Sequence, residues 1–192
     1  MTKQPKPHIV DARSVDVDSP LGTLRLWAAG GAVTAIRLPN DLGPLPDVPA
    51  PRGDDPSSAV LRAAARQLDE YFAGRRQAFE LPLAPRGTAF QLAAWQALRA
   101  IPFAETRSYG QQARAIGRPD ACRAVGGANG RNPIAIVIPC HRVIGSDGSL
   151  TGYGGGQPAK RWLLEHEARV RGAHVHGRGA ARATAARGAA RL

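Results

Sequence analysis

A cysteine and a histidine stand side by side at positions 140 and 141, directly after an uncharged apolar run. The run, Ile134 to Ile138, is rich in β-branched residues, which predicts a short buried strand or a buried loop. Pro139 lacks an N–H group and should end regular pairing there. The thiol of Cys140 is therefore expected at the end of a rigid, dry segment. The imidazole of His141 could take the thiol proton, because the thiolate is the nucleophilic form.

Cys140 also has an interpretation that needs no chemistry, because a free cysteine is often a small buried hydrophobe. Neighbouring side chains project in different directions, so the Cys–His pair alone does not decide between the two. The chemical interpretation needs a third group from elsewhere in the chain. The other cysteine, Cys122, has no adjacent histidine, and we expect it to fill a packing role.

The composition indicates a globular protein with an anionic partner. The chain has 192 residues, of which 43% are hydrophobic, and a formal net charge of +11. This basic excess predicts a polyanion such as nucleic acid, although a basic tail on a nearly neutral domain would explain part of it. The sequence has no apolar stretch long enough for a transmembrane helix and no signal-peptide core near its start. We expect a cytoplasmic protein with reduced thiols and no membrane partner.

The first 84 residues have the pattern of a structural domain. Residues 13–38 alternate between apolar and polar side chains with turn residues between the runs, which predicts an antiparallel β-meander. Residues 39–56 are rich in Pro, Gly and Asp and predict a loop. A helix should follow from 59 to 73, with Ser57 or Ser58 as its N-cap. No cysteine and no cluster of metal-ligating type occurs in this part, so we expect no metal site.

Three helices are predicted after residue 84. Thr88 should cap a helix within 85–100, and a second helix should span 108–116. After a glycine-containing turn, Asp120 should cap a third helix over 121–128. The last two helices and their connecting turn have the layout of a helix-turn-helix.

The second helix of this motif is built almost entirely from small residues, with Arg123 as its one long cation. Small side chains let another backbone approach closely, so such a helix suits entry into a narrow groove of DNA. Ordinary tight helix packing, with Arg123 solvated, would explain the same composition.

The remainder of the chain divides into a loop, a helix and a tail. The glycine-rich segment 145–156 predicts either a loop over a pocket or a flexible surface turn. A helix over 159–171 follows Pro158. From 173 the chain is mostly Ala, Arg and Gly without an acid, which predicts a disordered basic tail over 173–192. Its two histidines are too few for a metal site.

Several motifs surround the reactive pair. Pro139-Cys140-His141-Arg142-Val143 is preceded by Asn132-Pro133 and followed by Gly152-Tyr153 and by Lys160. With these motifs the chain resembles the O6-alkylguanine-DNA alkyltransferases (methylated-DNA–protein-cysteine methyltransferases) over about residues 86–168. The other matching residues are Gly87-Thr88-Ala89-Phe90-Gln91, Ile101-Pro102-Phe103, Glu105-Thr106, Ser108-Tyr109-Gly110, Arg123-Ala124-Val125-Gly126 and Trp162-Leu163-Leu164 with Glu167.

The resemblance implies a role for each residue around the thiol. Cys140 would attack the alkyl carbon on O6 of a guanine that has left the duplex stack. His141, through a water, and Glu167 would form the relay that generates the thiolate. Asn132 would brace the loop that carries the nucleophile.

The resemblance also implies a guanine pocket. Tyr109 would help to rotate the nucleotide and could hydrogen-bond the leaving guanine. The backbones of Cys140 and Val143 would accept from the guanine amino group. Tyr153 and the N–H of Gly154 would serve O6, with Lys160 supporting that side.

Arg123 would fill the space that the extruded base leaves in the stack, with Ala124 and Gly126 as the flat DNA-facing part of the same helix. The implied partner is double-stranded DNA with alkylated bases, and O4-alkylthymine is a second expected lesion. The thioether product has no good leaving group, so each molecule should act once, without a cofactor and as a monomer.

The predicted fold class is α+β. Residues 1–84 form an N-terminal domain with an antiparallel β-meander and a helix. Residues 85–172 form a mostly helical, DNA-binding domain whose helix-turn-helix carries the reactive cysteine. One departure from the resemblance is Ala104, which stands where the family usually has glycine.

Three alternatives remain open. One is a module that recognises alkylated DNA without repairing it, although such relatives lack the nucleophile that Cys140 provides. Another is a regulator that senses alkylation, although a second, regulatory cysteine domain would be expected. The third is a cysteine hydrolase built on Cys140, His141 and Glu167, which should turn over repeatedly.

Overall fold

The computed structural model describes the backbone of residues 12–41 and 55–188, and the side chains within these ranges up to Ala173. The protein is α+β, as predicted, with a three-stranded antiparallel sheet and five helices in this part of the chain. The strands are β1 (Arg13–Val17), β2 (Leu24–Ala29), β3 (Ala32–Arg37), β4 (Arg107–Ser108) and β5 (Val143–Ile144). The helices are α1 (Pro56–Phe72), α2 (Ala89–Arg99), α3 (Tyr109–Ala115), α4 (Cys122–Asn129) and α5 (Gly156–Gly188), and a short 3-10 helix spans Cys140–Arg142.

The predicted meander is confirmed in the order β1-β2-β3. Leu24, Leu26 and Ala28 alternate along β2 and are fully buried, as expected for a sheet with one face on the core. Gly30 and Gly31 make the turn between β2 and β3 with φ of 57° and 73°, the combination that a two-residue hairpin turn of type I′ requires.

Helix α1 begins three residues earlier than predicted, and its cap is not Ser57 or Ser58. The cap is Asp55, whose carboxylate accepts hydrogen bonds from both the N–H and the hydroxyl of Ser58. Pro56 occupies the first helical position, where its fixed φ and missing N–H cause no loss. Of the loop predicted over 39–56, residues 42–54 lie outside the described residues.

The helices of the second half follow the prediction with one wrong cap. Thr88 caps α2 through a capping box, so the helix begins at Ala89 rather than near residue 85. Ser108 caps α3 in the same way. Helix α4 has no side-chain cap, because the capping position is occupied by Ala121, which has no hydrogen-bonding side chain, and not by Asp120.

The apolar run 134–138 is a buried loop and not a strand. All five of its residues are buried, and one bridge joins Ile134 to Ile36 of β3. Ile136 has φ of 70°, a left-handed conformation that interrupts an extended chain. The 3-10 helix follows, and β5 then pairs in parallel with β4.

Helix α5 begins at Gly156, earlier than predicted, and continues to Gly188. The backbone of 173–188 is thus helical where a disordered tail was predicted. The physical reason is the high alanine content of this segment, since alanine has the strongest intrinsic helix propensity. Residues 189–192 lie outside the described part of the chain.

One apolar core joins both halves of the protein. Buried residues of the sheet and of α1 pack in the same cluster as the loop 134–138, Cys140 and Leu163 of α5. Consequently the loop 134–138 and Cys140 are supported by the N-terminal half of the protein as well as by α5. Among the described helices, none has the length and hydropathy that a bilayer crossing would need.

Candidate active site

Cys140 is the first residue of the 3-10 helix, immediately after the buried loop. Its side chain is almost completely buried, with 6% exposure. The side-chain amide of Asn132 donates hydrogen bonds to the Cys140 sulfur over 3.1 Å and to the carbonyl of Ile138 over 2.7 Å. Its oxygen accepts from the N–H of Ile134 over 3.1 Å. Asn132 thus ties both ends of the apolar loop to the thiol.

Burial raises the pKa of the Cys140 thiol to about 11. The hydrogen bond from Asn132 and the positive charge of Lys160 act in the opposite direction, and the negative charge of Asp41 adds to the increase. Almost all of the sulfur is therefore protonated near neutral pH. A base within the site has to take the proton before the sulfur can act as a nucleophile.

His141, the residue after Cys140, forms a buried pair with Glu167. Nε2 of His141 lies 2.9 Å from Oε1 of Glu167, and both side chains are fully buried. Burial lowers the pKa of His141, although the hydrogen bond and charge of Glu167 oppose this. Nδ1 of His141 is buried and has no hydrogen-bond partner among the described residues. A neutral imidazole that donates from Nε2 to Glu167 therefore keeps a lone pair on Nδ1 as a proton acceptor.

The Glu167 carboxylate is enclosed by hydrogen-bond donors. Arg142 contacts it through Nε at 3.0 Å from Oε2 and through Nη2 at 2.9 Å from Oε1. The Tyr71 hydroxyl donates to Oε1 over 2.8 Å, and the Ala104 N–H donates to Oε2 over 2.9 Å. Burial by itself would raise the pKa of Glu167, but the hydrogen bonds and charges of His141 and Arg142 hold it well below its usual range. Glu167 is thus a fixed anion.

Sequence reasoning missed two of these donors. Arg142 was given no role beyond its place in the motif Pro139-Cys140-His141-Arg142-Val143, although its position next to His141 was a usable signal. Tyr71 lies on the apolar face of α1, and nothing in the sequence distinguishes it there from a packing residue.

Lys160 joins β5 to the glycine-rich segment 145–156. Its side chain is fully buried, and Nζ donates to the carbonyls of Val143 over 2.6 Å and Thr151 over 2.8 Å. The Tyr109 hydroxyl donates to the same Thr151 carbonyl over 2.9 Å. Lys160 therefore holds Val143, Tyr109 and the loop in one arrangement.

Tyr153 and Gly154 lie where this loop meets the N-terminal half. The Tyr153 hydroxyl is buried without a hydrogen-bond partner among the described residues, and its ring stands edge-on to His141 with centroids 6.5 Å apart. A Cβ at Gly154 would lie 3.5 Å from a carboxylate oxygen of Asp41. The unpartnered Tyr153 hydroxyl provides a polar group for a ligand beside the relay.

Known proteins resemble the chain along most of its length. Family models described as "6-O-methylguanine DNA methyltransferase, ribonuclease-like domain" and "6-O-methylguanine DNA methyltransferase, DNA binding domain" match residues 17–85 and 89–169. A methylated-DNA–protein-cysteine methyltransferase of Mycobacterium tuberculosis is 49% identical over 151 residues, which are 79% of this chain and 89% of the relative. The chain belongs to the 6-O-methylguanine DNA methyltransferase family. The resemblance inferred from the motifs is confirmed.

Other members of this methyltransferase family are similarly close. A methylated-DNA–protein-cysteine methyltransferase of Methanosarcina acetivorans is 45% identical over 150 residues, covering 78% of this chain and 94% of the relative. The crystal structure of Mycobacterium tuberculosis OGT in complex with DNA has a TM-score of 0.73 and 48% identity, covering 84% of this chain and 94% of that one.

Helix α4 lies within the part that matches the methyltransferase DNA-binding domain. Arg123 and Ala124 are exposed on it, and Gly126 is half-buried. A Cβ at Gly126 would lie 3.7 Å from the Tyr109 ring, so the absence of a side chain lets that ring lie against the helix. The small residues of α4 therefore serve close packing on one side and leave a flat exposed surface on the other.

Cys122, at the start of α4, does not pack as predicted, because its side chain is exposed. The reason is that α4 buries Val125 and Ala128 and turns its first residues outwards. Within the described residues, no group of three or more His, Cys, Asp or Glu side chains is arranged to hold a metal ion.

Proposed function

We propose that this protein repairs DNA by transferring the alkyl group from O6 of alkylguanine to the sulfur of Cys140, once per molecule. The observation that carries the proposal is a pair of buried hydrogen bonds, one between Asn132 and Cys140 and one between His141 and Glu167. The second leaves Nδ1 of His141 available as a base. The names of the similar Mycobacterium and Methanosarcina proteins support the same activity. O4-alkylthymine is a second proposed lesion, since it also carries an alkyl group on an exocyclic oxygen.

The proposed reaction begins with removal of the thiol proton. His141 accepts it at Nδ1, directly or through a water, and the fixed charge of Glu167 stabilises the imidazolium. The Cys140 thiolate then attacks the alkyl carbon, so a carbon–sulfur bond forms and the carbon–O6 bond breaks. The electron pair stays on O6, and the guanine regains a proton from the imidazolium or from solvent. The thioether has no good leaving group, which makes the transfer irreversible.

The substrate-binding assignments fit around this reaction. The carbonyls of Cys140 and Val143 would accept hydrogen bonds from the guanine amino group. The Tyr153 hydroxyl and the Gly154 N–H would donate hydrogen bonds to O6. Lys160 would support this side by holding the glycine-rich loop. Tyr109 would contact the nucleotide as it rotates.

The proposed partner is double-stranded DNA that contains alkylated bases. A base in a duplex must leave the stack before its O6 can be reached, which costs a few kcal/mol. Arg123, exposed on α4, would occupy the vacated space while Ala124 and Gly126 let the helix approach the groove. The net charge of +11 supports phosphate binding.

The domain division at 84/85, with a basic extension over 173–192, remains our proposal, and the separate matches at 17–85 and 89–169 support the first boundary. We further propose that the protein acts as a monomer, since the proposed reaction uses residues of one chain only. We also propose that it acts in the cytoplasm, where thiols stay reduced.

The test is to incubate the protein with a duplex that contains O6-methylguanine and to determine the intact mass. The proposal requires a gain of one methyl group, located at Cys140, with no more than one equivalent transferred. Cys140→Ser should show no gain, and Cys122→Ser should behave like the unmodified protein. Repeated turnover would instead identify a hydrolase, and DNA binding without a mass gain would identify a recognition module.

A further inference from the structure

The carboxylate of Glu167 is held from the N-terminal half of the protein as well as from its own half. The hydroxyl of Tyr71, near the end of α1, donates to Oε1 of Glu167 over 2.8 Å, although 96 residues separate the two in sequence. Both side chains are fully buried. The N-terminal half, which the sequence suggested to be purely structural, thus contacts the proton relay directly.

Packing alone does not explain the hydroxyl. The Tyr71 ring lies among the rings of Phe72, Phe79, Phe103 and His166, with centroids 5.2 to 6.2 Å away. A phenylalanine would fill this environment, whereas a buried hydroxyl costs free energy unless it is hydrogen-bonded. Burial and the charge of Glu167 raise the pKa of Tyr71 well above its usual value. The hydroxyl therefore stays protonated and acts as a donor to the carboxylate.

Tyr71 and His141 share one oxygen of Glu167. His141 Nε2 lies 2.9 Å from Oε1, the atom that accepts from Tyr71. A second donor on an anionic oxygen withdraws electron density from it and restricts its position. The hydrogen bond from Tyr71 must therefore weaken the stabilisation that Glu167 gives to a protonated His141.

We propose that Tyr71 is a positioning residue of the alkyl transfer, which fixes Glu167 against His141 and limits the basicity of the histidine. The inference rests on the proposed function, because the relay matters only if Cys140 must lose a proton. Tyr71 itself exchanges no proton. A less basic His141 stays neutral, and able to accept the thiol proton, at lower pH.

The charged and titratable groups around the relay set the expected direction. Arg142, Tyr71 and His141 face Glu167, and His166 packs on the Tyr71 ring. Glu167, Arg142 and Lys160 act on His141 electrostatically, and the ring of Tyr153 lies beside it. Tyr71→Phe removes one donor and leaves all the other groups in place. The charge on Oε1 then acts more strongly on His141 and raises its pKa.

The experiment measures single-turnover methyl transfer to full-length Tyr71→Phe from a duplex containing O6-methylguanine, across the acidic limb of the pH–rate profile. We expect the midpoint of this limb to move to higher pH by about one unit, the size expected for losing a hydrogen bond to a charged group. A uniform loss of rate at all pH values, with the midpoint unchanged, would show that the hydroxyl only supports packing. A shift to lower pH would also overturn the proposal.

The matched control is Phe72→Leu, which changes the neighbouring ring on α1. Phe72 packs against Tyr71 and Trp162, so this variant should lose stability without moving the midpoint. A midpoint that moves equally in the control would attribute the effect to packing and overturn the proposal.

A second measurement does not depend on alkyl transfer. In a Cys140→Ser background, the imidazole of His141 is titrated by NMR with and without Tyr71→Phe, and its resonance is identified through His141→Gln. The pKa of His141 should be higher in the phenylalanine variant, and an unchanged value would refute the role of Tyr71. If the unmodified protein accepts no methyl group while this titration shifts, the proposed function fails and the coupling between Tyr71 and His141 stands.

Discussion

The side-chain amide of Asn132 lies 3.1 Å from the sulfur of Cys140 and donates a hydrogen bond to it. The same amide group holds the Ile138 carbonyl, so one residue both shapes the loop and stabilises negative charge on the thiol. These two effects can be separated, because only the second one acts on the ionisation of the sulfur.

Asn132→Ala should therefore slow methyl transfer and also destabilise the fold. Burial is the main cause of the raised pKa of Cys140, and the Asn132 hydrogen bond opposes it, so its loss should raise the pKa further. The Ile134 N–H and Ile138 carbonyl would lose their partner, which costs about 1–3 kcal/mol for each buried group left unpaired. The measurements are single-turnover rates against pH and denaturant unfolding.

Asn129→Ala provides the control for this prediction. Asn129 is equally buried, but its amide pairs with Gln112 and does not contact the thiol. This variant should lose stability while its pH–rate profile stays in place. If both variants displace the profile equally, the hydrogen bond to sulfur has no separate electrostatic effect.

The two charges of the Arg37–Asp41 ion pair should affect the reactivity of Cys140 in opposite directions. Nη1 of Arg37 lies 3.3 Å from Oδ1 of Asp41, with 27% and 18% of the side chains exposed. After burial, which is the main cause, the charge of Asp41 adds to the raised pKa of Cys140. Asp41→Asn should lower that pKa, give more thiolate at neutral pH and speed transfer by about two- to five-fold, since the pair is partly solvated.

Arg37→Gln should slow transfer, because it removes the charge that compensates Asp41. The double variant should return towards the rate of the unmodified protein. The check is the rate at neutral pH together with the alkaline limb of the pH–rate profile. Rates that change in the same direction in both single variants would show that shape, and not charge, governs the effect.

Ala104 has a backbone conformation that costs free energy. Its φ is 57°, a left-handed conformation that disfavours a Cβ by about 1–2 kcal/mol. The N–H of this residue donates to Glu167, so the turn has to keep its shape. Ala104→Gly should raise the free energy of unfolding by up to about 1 kcal/mol, because the relief of strain exceeds the entropy that glycine loses.

The matched substitution for this prediction is Ala100→Gly. Ala100 is the exposed C-cap residue of α2, and its φ is −82°, which alanine adopts without strain. Glycine should therefore destabilise the protein at this position. Thermal unfolding of both variants decides the matter, and a loss of stability in Ala104→Gly would contradict the strain argument.

Local chemistry in the sequence was sufficient for the parts of the fold that depend on near neighbours. The predicted cap at Thr88 and the predicted turn between β2 and β3 join residues at most three positions apart. Ser108, which was predicted as the first residue of the second helix, is instead the cap of α3. The cap at Asp55 was missed because two serines competed for that position in the pattern. The left-handed Ile136 could not be predicted, since the surrounding core and not the residue's own preference imposes that conformation.

The active site shows the same division between local and distant information. Cys140 and His141 were predicted from their own positions, whereas Glu167 was found only through the family resemblance. The Tyr71–Glu167 contact joins residues that lie 96 positions apart in the sequence. A hydroxyl on an apolar helix face gives no sign in the sequence of which buried partner it will meet, because that depends on how the two halves pack.

Arg123 provides the test of how α4 meets DNA. Its side chain is exposed near the start of the helix, in the DNA-binding domain and on a different surface from the buried relay. Arg123→Ala should therefore leave the thiol chemistry intact and weaken the step that holds the duplex open. We expect a reduction of about ten-fold or more in the transfer rate from duplex DNA, because an unstacked base costs a few kcal/mol. The reaction with free O6-methylguanine base should be largely preserved.

The control for Arg123 is Arg131→Ala, just beyond the other end of α4. The Arg131 side chain is exposed and donates to the Gly127 carbonyl, so its loss removes one positive charge from the same region. If the reduction with duplex came only from weaker phosphate binding, both variants would lose rate to a similar extent and low salt would restore it. A loss specific to Arg123 that persists at low salt would instead assign it to base extrusion. Equal losses on duplex and free base would remove Arg123 from that role.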